Sequence, residues 1–272
     1  MHSAQDVDGD LPALLVPFGE RLRQWRVARG MSELELATGA GCTARQVSCW
    51  ESACARPTRS LVLRLASTLD ISLRERNQLL QAAGLEPEYR RTGLDSPDLL
   101  PYRKVMDRLL TAHEPFPALV TDTRTTVLRA NLACKRLLGP DIVGSNLAER
   151  YFGHSKTHEL VLNWTEVGRA GLTRLRRLLR LHPMDEELDR LVALAETALD
   201  DVTGSVADCV PTDQDTRSPV LCPWFDLNGE VIRTVLVGAL FEAPAEITLD
   251  ELRIELMYPQ DEQAEKFFRD LV

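Results

Sequence analysis

Three groups of side chains have types and spacings that could support chemistry. His154 and His158 stand four residues apart with Glu159 beside them. On a helix that spacing puts two imidazoles on one face, as a zinc site needs. No H-E-x-x-H completes the pair and Gly153 weakens a helix there, so the expectation is a solvated pair and no metal. Cys42, Cys49 and Cys54 form a second group; Cys134, Cys209 and Cys222 lie elsewhere, and no C-x-x-C occurs among the six. A disulfide among the first three would make a redox device, whereas the plainer reading is small buried hydrophobes. Arg174, Arg176, Arg177 and Arg180 form the third group, on a stretch with a leucine face. The acidic run Asp185, Glu186, Glu187 and Asp189 follows at once, which predicts local neutralisation. No G-x-S-x-G, Walker loop, G-x-G-x-x-G or convincing triad is present, so the chain does not read as an enzyme.

The elements that must carry such groups are bounded by size and charge. The chain has 272 residues, a net charge of −9 and 44% hydrophobic residues. That suffices for one large core or two ordinary ones. No apolar run approaches the ~18–20 residues of a membrane span. Met1 to Asp10 holds three aspartates and no basic residue, unlike a secretory signal, and the cysteines are too sparse for a disulfide scaffold. Both features predict a cytoplasmic protein. The charge is unevenly spread. From Phe18 to Arg91, twelve Arg, no Lys and eight acidic residues give +4; the first ten residues carry −3, leaving −10 for 92–272. A small positive module thus precedes a large negative one, the balance that phosphate binding requires. Gly84, Pro87, Gly93 and Pro97 punctuate the junction. The predicted organisation is an acidic flexible tail over 1–17, a first domain over 18–85, a linker over 86–100 and a second domain over 101–272.

The first domain reads as five short helices. Phe18, Leu22, Trp25 and Ala28 share one face of the first, which Gly30 stops. Ser32 with Glu35 makes a capping box for the second, interrupted by Gly39 and Gly41. Thr43 caps a third bearing Val47 and Trp50 inward. Leu61, Leu65 and Leu69 align on a fourth, and Leu73, Leu79, Leu80 and Ala83 on a fifth.

The stretch from Phe18 to Pro57 resembles a helix-turn-helix of the phage-repressor (Xre/Cro) type. The pattern is Ala28-Arg29-Gly30-Met31-Ser32, then Leu34-x-Leu36-Ala37, the Gly39-Ala40-Gly41 turn, Thr43-x-x-x-Val47-Ser48-x-Trp50-Glu51, and Pro57. Glu33 stands where the family usually has Gln, and Ala53 where it usually has Gly. The resemblance implies an all-α, lambda-repressor-like domain whose third helix enters the major groove of double-stranded DNA. Thr43, Ala44, Arg45 and Gln46 would then face the duplex, with Ser48 or Cys49 behind and Ser32 at the start of the preceding helix. Arg45 can bond a guanine edge and Gln46 an adenine edge in bidentate fashion. Thr43 or Ser48 can hold phosphates. Trp50 is expected to anchor the helix to the core.

Residues 118–131 read as a strand, a polar turn and a second strand, with Asn131 capping the next helix. That helix ends at Gly139-Pro140. A long helical stretch is predicted over roughly 143–198, then strand-like runs at 219–227, 231–241 and 247–258 with a hairpin at Asn228-Gly229, and a closing helix from Glu262 to Leu271. This order resembles a PAS-type α+β domain with an antiparallel sheet. More narrowly, the whole chain resembles MmyB-like regulators, which join an Xre-type DNA reader to a PAS-like ligand domain. The carrying residues are Asn131-Leu132-Ala133, Trp164, the Leu-Arg repeat at 172–181 and Met257-Tyr258-Pro259. The resemblance implies a pocket for an elongated apolar molecule such as a long-chain fatty acid, with no required cofactor or metal. Leu128, Leu132, Trp164, Leu175, Trp224 and Val235 are its expected lining, although such residues more often form ordinary core. Arg129 or Arg174 can meet a ligand carboxylate, and the sequence leaves both open.

Together these features predict a cytoplasmic one-component transcription regulator that binds DNA as a homodimer and senses a small apolar ligand. Two alternatives remain at this level. The PAS-like domain serves only dimerisation, or the protein is an antitoxin-like or enzymatic partner that uses its helix-turn-helix for autoregulation.

Overall fold

The computed structural model describes residues 11–154, 156–203, 222–227, 229–241 and 245–272. The expectations for residues 1–10, 219–221, Asn228 and Cys209 fall outside these. The chain divides into two compact units. The first comprises the residues through Arg91 with 180–183 and 245–247; the second comprises the remainder.

The N-terminal unit is helical: α1 (Leu11–Ala28), α2 (Glu33–Ala40), α3 (Ala44–Glu51), α4 (Arg59–Thr68) and α5 (Leu73–Ala82). The periodic positions are its core. Phe18, Leu22, Trp25, Leu36, Val47, Leu61, Leu65, Leu69, Leu79 and Leu80 are all buried. Helix α1 starts at Leu11, inside the segment that charge alone assigns to a tail. Pro12 sits in its first turn, where the missing N–H costs nothing. Gly39 does not interrupt α2, which continues to Ala40. A Cβ at Gly39 would lie 2.4 Å from Thr68 Cγ2, so the glycine gives α4 room. Gly41 alone ends the helix, in the left-handed conformation at φ 65°.

The second unit contains α6 (Leu100–Ala112), β1 (Ala118–Thr121), β2 (Val127–Ala130), α7 (Leu132–Leu138), α8 (Leu147–Phe152), α9 (Lys156–Leu160), α10 (Trp164–Leu181), α11 (Glu186–Thr203), β3 (Trp224–Leu227), β4 (Glu230–Leu240), α12 (Ile247–Asp250), β5 (Arg253–Pro259) and α13 (Glu262–Leu271). The five strands form one antiparallel sheet in the order β2-β1-β5-β4-β3. The stretch expected to be one long helical run is four helices. Gly153 caps α8, and the backbone at Val161 and Leu162 leaves the helical path to pair with β3: Leu162 N–H donates to Trp224 O at 2.8 Å. The run expected as a strand over 247–258 splits into the single turn of α12 and then β5.

One sheet face, with Ala118, Val120 and Ile254, packs on Met106 and Leu110 of α6. Asn131 fixes the first strand pair to its neighbours. Its Oδ1 accepts from Ala118 and Cys134 N–H at 3.0 and 2.9 Å, and its Nδ2 donates to Leu110 O and Phe116 O at 3.2 and 2.8 Å. The opposite face, with Leu119, Glu255, Met257 and Leu236, turns toward a cavity.

Candidate functional site

In the N-terminal unit both helices of the motif begin with reciprocal caps. Ser32 Oγ accepts from Glu35 N–H at 3.2 Å and Glu35 Oε2 accepts from Ser32 N–H at 2.7 Å. Thr43 repeats the arrangement with Gln46: Thr43 N–H donates to Gln46 Oε1 at 2.9 Å, and Gln46 N–H to Thr43 Oγ1 at 3.3 Å. The second box is legible as Thr43-x-x-Gln46 but was expected only as a single threonine cap. It changes the chemistry available to Gln46. Thr43 Oγ1 also bonds Gln46 Oε1 at 3.1 Å, so both lone pairs of that oxygen are engaged. The Nε2 donors are the atoms left to reach outward, suited to an acceptor such as a purine N7 or a phosphate oxygen.

Arg45 and Gln46 are exposed, with Thr43 beside them, while Ala44, Ser48 and Cys49 are half-buried. Val47 and Trp50 are buried. Several arginines of this unit are already engaged. Arg21, Arg26, Arg29, Arg59, Arg64 and Arg76 bond to other protein groups. Arg45 and Arg56, before and after the last turns of α3, are exposed and carry no hydrogen bond or ion pair among the described residues. At α3, therefore, positive charge is presented by two exposed guanidiniums, Arg45 and Arg56.

Helix α3 is held in place by a contact with no motif signal. Arg26 of α1 grips Glu51 with two bonds, Nε to Oε1 at 2.6 Å and Nη2 to Oε2 at 2.7 Å, and its Nη1 donates to Met31 O at 3.0 Å. The side chains are only 13% and 5% exposed. The hydrogen bond to Glu51 raises the Arg26 pKa further, so this cation is permanent. Gly19 permits the approach, because a Cβ there would lie 2.6 Å from Trp50 O and 2.8 Å from Glu51 O. Beyond Glu51 the chain closes with Cys54 N–H on Cys49 O at 2.9 Å and Ala53 N–H on Trp50 O at 3.1 Å. This is a Schellman turn. It forces Ala53 to φ 59°, where glycine is the comfortable residue. Ala53→Gly is accordingly expected to stabilise the unit by about 0.5–1 kcal/mol. Chemical denaturation would check it, and a destabilised variant would contradict the strain.

The second unit holds a partly open cavity of about 510 Å³. That lies within the ~300–1,000 Å³ of small-molecule sites. Its wall is mostly apolar. Strands supply Leu119, Phe225, Leu236 and Met257, and helices supply Cys134, Leu137, Ala148, Phe152, Val167 and Leu175. Tyr151 also lines it, stacked on Trp164 at 5.6 Å with its hydroxyl donating to Trp164 O at 2.8 Å. Burial pushes the Cys134 thiol up to about 12, so it serves as an apolar wall atom and not as a nucleophile. Two ion pairs touch the wall: Arg150 with Asp141 at 2.8 Å, and Arg174 with Glu255 at 2.6 Å.

Of the six residues expected to line a pocket, Leu175 does so. The other five are placed differently. Leu128 packs at the α6 side of the sheet. Leu132, Trp224 and Val235 are exposed, Trp224 lying under the Arg233 guanidinium. Trp164 is core, one layer behind Tyr151. Of the two arginines left open, Arg174 lines the cavity, whereas Arg129 pairs with Asp107 at 3.1 Å away from it. The acidic run after α10 neutralises other arginines than expected. Asp185 pairs with Arg124 and Glu187 with Arg190, while Arg176 takes Glu196 of α11. His154 precedes α9, which starts at Lys156, so it and His158 do not share a helix. His154 lies at the cavity wall and His158 packs on Trp164. Among the described residues no group of three His, Cys, Asp or Glu is arranged to hold a metal.

The helical unit and the cavity-bearing unit each match a known family. Residues 102–271 match the MmyB-like transcription regulator ligand binding domain. The chain belongs to the MmyB-like transcription regulators. Residues 17–79 match a helix-turn-helix domain. The MmyB-like match spans the sheet and every wall residue of the cavity, and the helix-turn-helix match spans α2 and α3 with both capping boxes. No curated protein matches the chain. This MmyB-like protein is thus a DNA-binding transcription regulator that carries its own ligand-binding domain. No helix among the described residues is long and apolar enough to cross a membrane.

Proposed function

We propose that this protein is a one-component, non-enzymatic regulator of the Xre type. Its affinity for DNA responds to an elongated apolar molecule, of the long-chain fatty acid class, bound in the cavity of a PAS-like domain. The observation that carries the reading is the 510 Å³ cavity with its predominantly apolar wall, in the same chain as a helix-turn-helix unit. A wall this apolar suits an alkyl chain, and its two carboxylates, Asp141 and Glu255, are each held by an arginine. The protein acts in the cytoplasm as a homodimer, because one short recognition helix reads few base pairs and two half-sites supply the rest. Ligand shifts the dimer between geometries that fit the half-sites differently.

At the DNA, Arg45 contacts a base edge, Gln46 donates through Nε2, and Ser32, Thr43, Ala44, Ser48 and Cys49 flank them. Arg45→Ala is expected to cost about 1–3 kcal/mol of specific binding. It should leave thermal stability unchanged, since Arg45 has no partner among the described residues. Titration of a site selected from random duplexes, at fixed salt, measures the loss. Lipid extraction and mass spectrometry of the purified protein test the ligand class. A protein that arrives empty, and whose melting temperature no fatty acid raises, would contradict it, because a native-state binder must stabilise.

A further inference from the structure

Of the three cysteines around α3, the fold joins two and separates the third. Cys42 stands ahead of the Thr43 cap, at the opposite end of the eight-residue helix and near Arg64. Cys49 and Cys54 meet at the closing turn. Cys54 Sγ donates to Cys49 O at 3.0 Å, and the Cys54 N–H donates to the same oxygen at 2.9 Å. In a Schellman turn these are the two positions whose side chains touch, and an apolar pair commonly fills them. Here two thiols do. Neither is buried: Cys49 is half-buried and Cys54 is exposed. A hydrogen bond with the Cys54 sulfur holds the Cys49 thiol above its ordinary value, against the pull of Arg45. The two sulfurs are therefore neighbours, on adjoining sides of one tight turn, as a disulfide requires.

The pair also sits between the two exposed guanidiniums of α3. Arg45 precedes Cys49 by four residues, so the two share a helix face, and Arg56 follows Cys54 by two. The turn between the sulfurs has little slack, because Ala53 already holds φ 59°. A disulfide brings its sulfurs to about 2.05 Å with a dihedral near 90°. Closing it takes the Cys54 thiol off Cys49 O. The last turn of α3 and the chain toward Arg56 must absorb the change.

We propose that Cys49 and Cys54 are an oxidation site: a peroxide closes them into a disulfide, and the closed form binds specific DNA more weakly. The exposed Cys54 reacts first. Its thiolate attacks one peroxide oxygen and becomes a sulfenic acid, and the other oxygen leaves as water for hydrogen peroxide. The Cys49 sulfur then attacks the Cys54 sulfur, its proton goes to the departing oxygen, and a second water leaves. Two thiols lose two electrons and the peroxide gains them; a dithiol reductant reverses the step. The switch rests on α3 being the DNA-facing helix and is independent of what the cavity holds.

The test exposes reduced full-length protein to hydrogen peroxide, quenches with catalase, alkylates free thiols and digests with trypsin. Gln46–Arg59 is one tryptic peptide, because Pro57 blocks cleavage after Arg56, and it holds Cys49 and Cys54 but not Cys42. It should be recovered unalkylated and about 2 Da lighter than its reduced form, two hydrogens having left. The same oxidised protein should bind a duplex selected by the reduced wild type at least fivefold more weakly, the lower end of what one base contact is worth, and dithiothreitol should restore it. Cys42→Ser should respond as the wild type does. Cys54→Ser, whose hydroxyl can keep the bond to Cys49 O, should bind the duplex like the reduced wild type and ignore peroxide. Full alkylation of both cysteines after peroxide, or a cross-link to the peptide of Cys42, would overturn the site. A closed disulfide with unchanged affinity, or a Cys54→Ser variant that loses affinity in peroxide as the wild type does, would overturn the switch. Failure of the reduced wild type to select any duplex would instead remove the reading of α3, and the switch with it.

Discussion

Glu51→Ala is expected to destabilise the N-terminal unit by about 3 kcal/mol and to abolish specific DNA binding. The carboxylate is 5% exposed and receives two bonds from Arg26, itself 13% exposed. Removing it leaves a guanidinium in a poorly solvated place with only Met31 O as partner. Arginine cannot escape by losing its proton. The loss is larger than for a surface pair, which is worth under about 1 kcal/mol. It also falls on the element that reads DNA, since Glu51 is the last residue of α3. Replacing both partners, Arg26→Met with Glu51→Leu, should recover most of the stability, because an apolar pair restores the packing without a stranded charge. Urea denaturation followed by circular dichroism measures both. Equal stability of Glu51→Ala and wild type would mean that the pair does not hold α3.

Gly171→Leu is expected to make the regulator blind to its ligand while leaving it folded. Gly171 lies on α10 at the cavity wall, and a Cβ built there meets only Phe152 ring atoms at 3.5 and 3.8 Å, an ordinary contact. Further carbons extend into the cavity. Helix propensity favours the change by about 1 kcal/mol, as glycine is the poorest interior residue after proline. The variant should therefore melt no lower than wild type, yet purify empty and show no ligand-dependent stabilisation. The neighbouring glycine makes a useful contrast. Gly168 is buried, with Leu199 Cδ2 only 3.1 Å from a built Cβ. Gly168→Leu is expected to lower stability by about 1–3 kcal/mol through overpacking. Similar losses from the two variants would contradict the placement of the cavity beside Gly171.

The N-terminal unit was largely legible because its signals are local. Ser32 and Glu35, Gly41, and the spaced apolar residues of α1, α4 and α5 each act within a few residues. The Arg26–Glu51 clasp and the packing of Gly39 on Thr68 were not legible, since each joins residues far apart in the chain. In the second unit most element types were readable, although α6 carried no expectation and the run over 247–258 hid the turn of α12; the cavity wall was not. Sheet faces alternate residue by residue, so a choice that misses by one position lands on the opposite side. Val235 is exposed where Leu236 lines the cavity, and Trp224 is exposed where Phe225 lines it. Leu132 sits in the first turn of α7, and Cys134, two residues on, forms the wall. Trp164 lies one layer too deep. Only long-range register settles such choices, through pairings such as Leu119 with Glu255 and Leu236 with Met257.

On the proposed function, occupancy of the cavity controls affinity for DNA. Coupling between two sites is reciprocal and typically amounts to 5–150-fold. The direct test is the dissociation constant of delipidated protein for a duplex selected by the wild type, measured at one salt concentration with and without saturating dodecanoic acid. At least a fivefold change is expected in the wild type and none in Gly171→Leu. The same constant with and without ligand, in a protein that demonstrably binds it, would contradict coupling between the cavity and the DNA-binding unit.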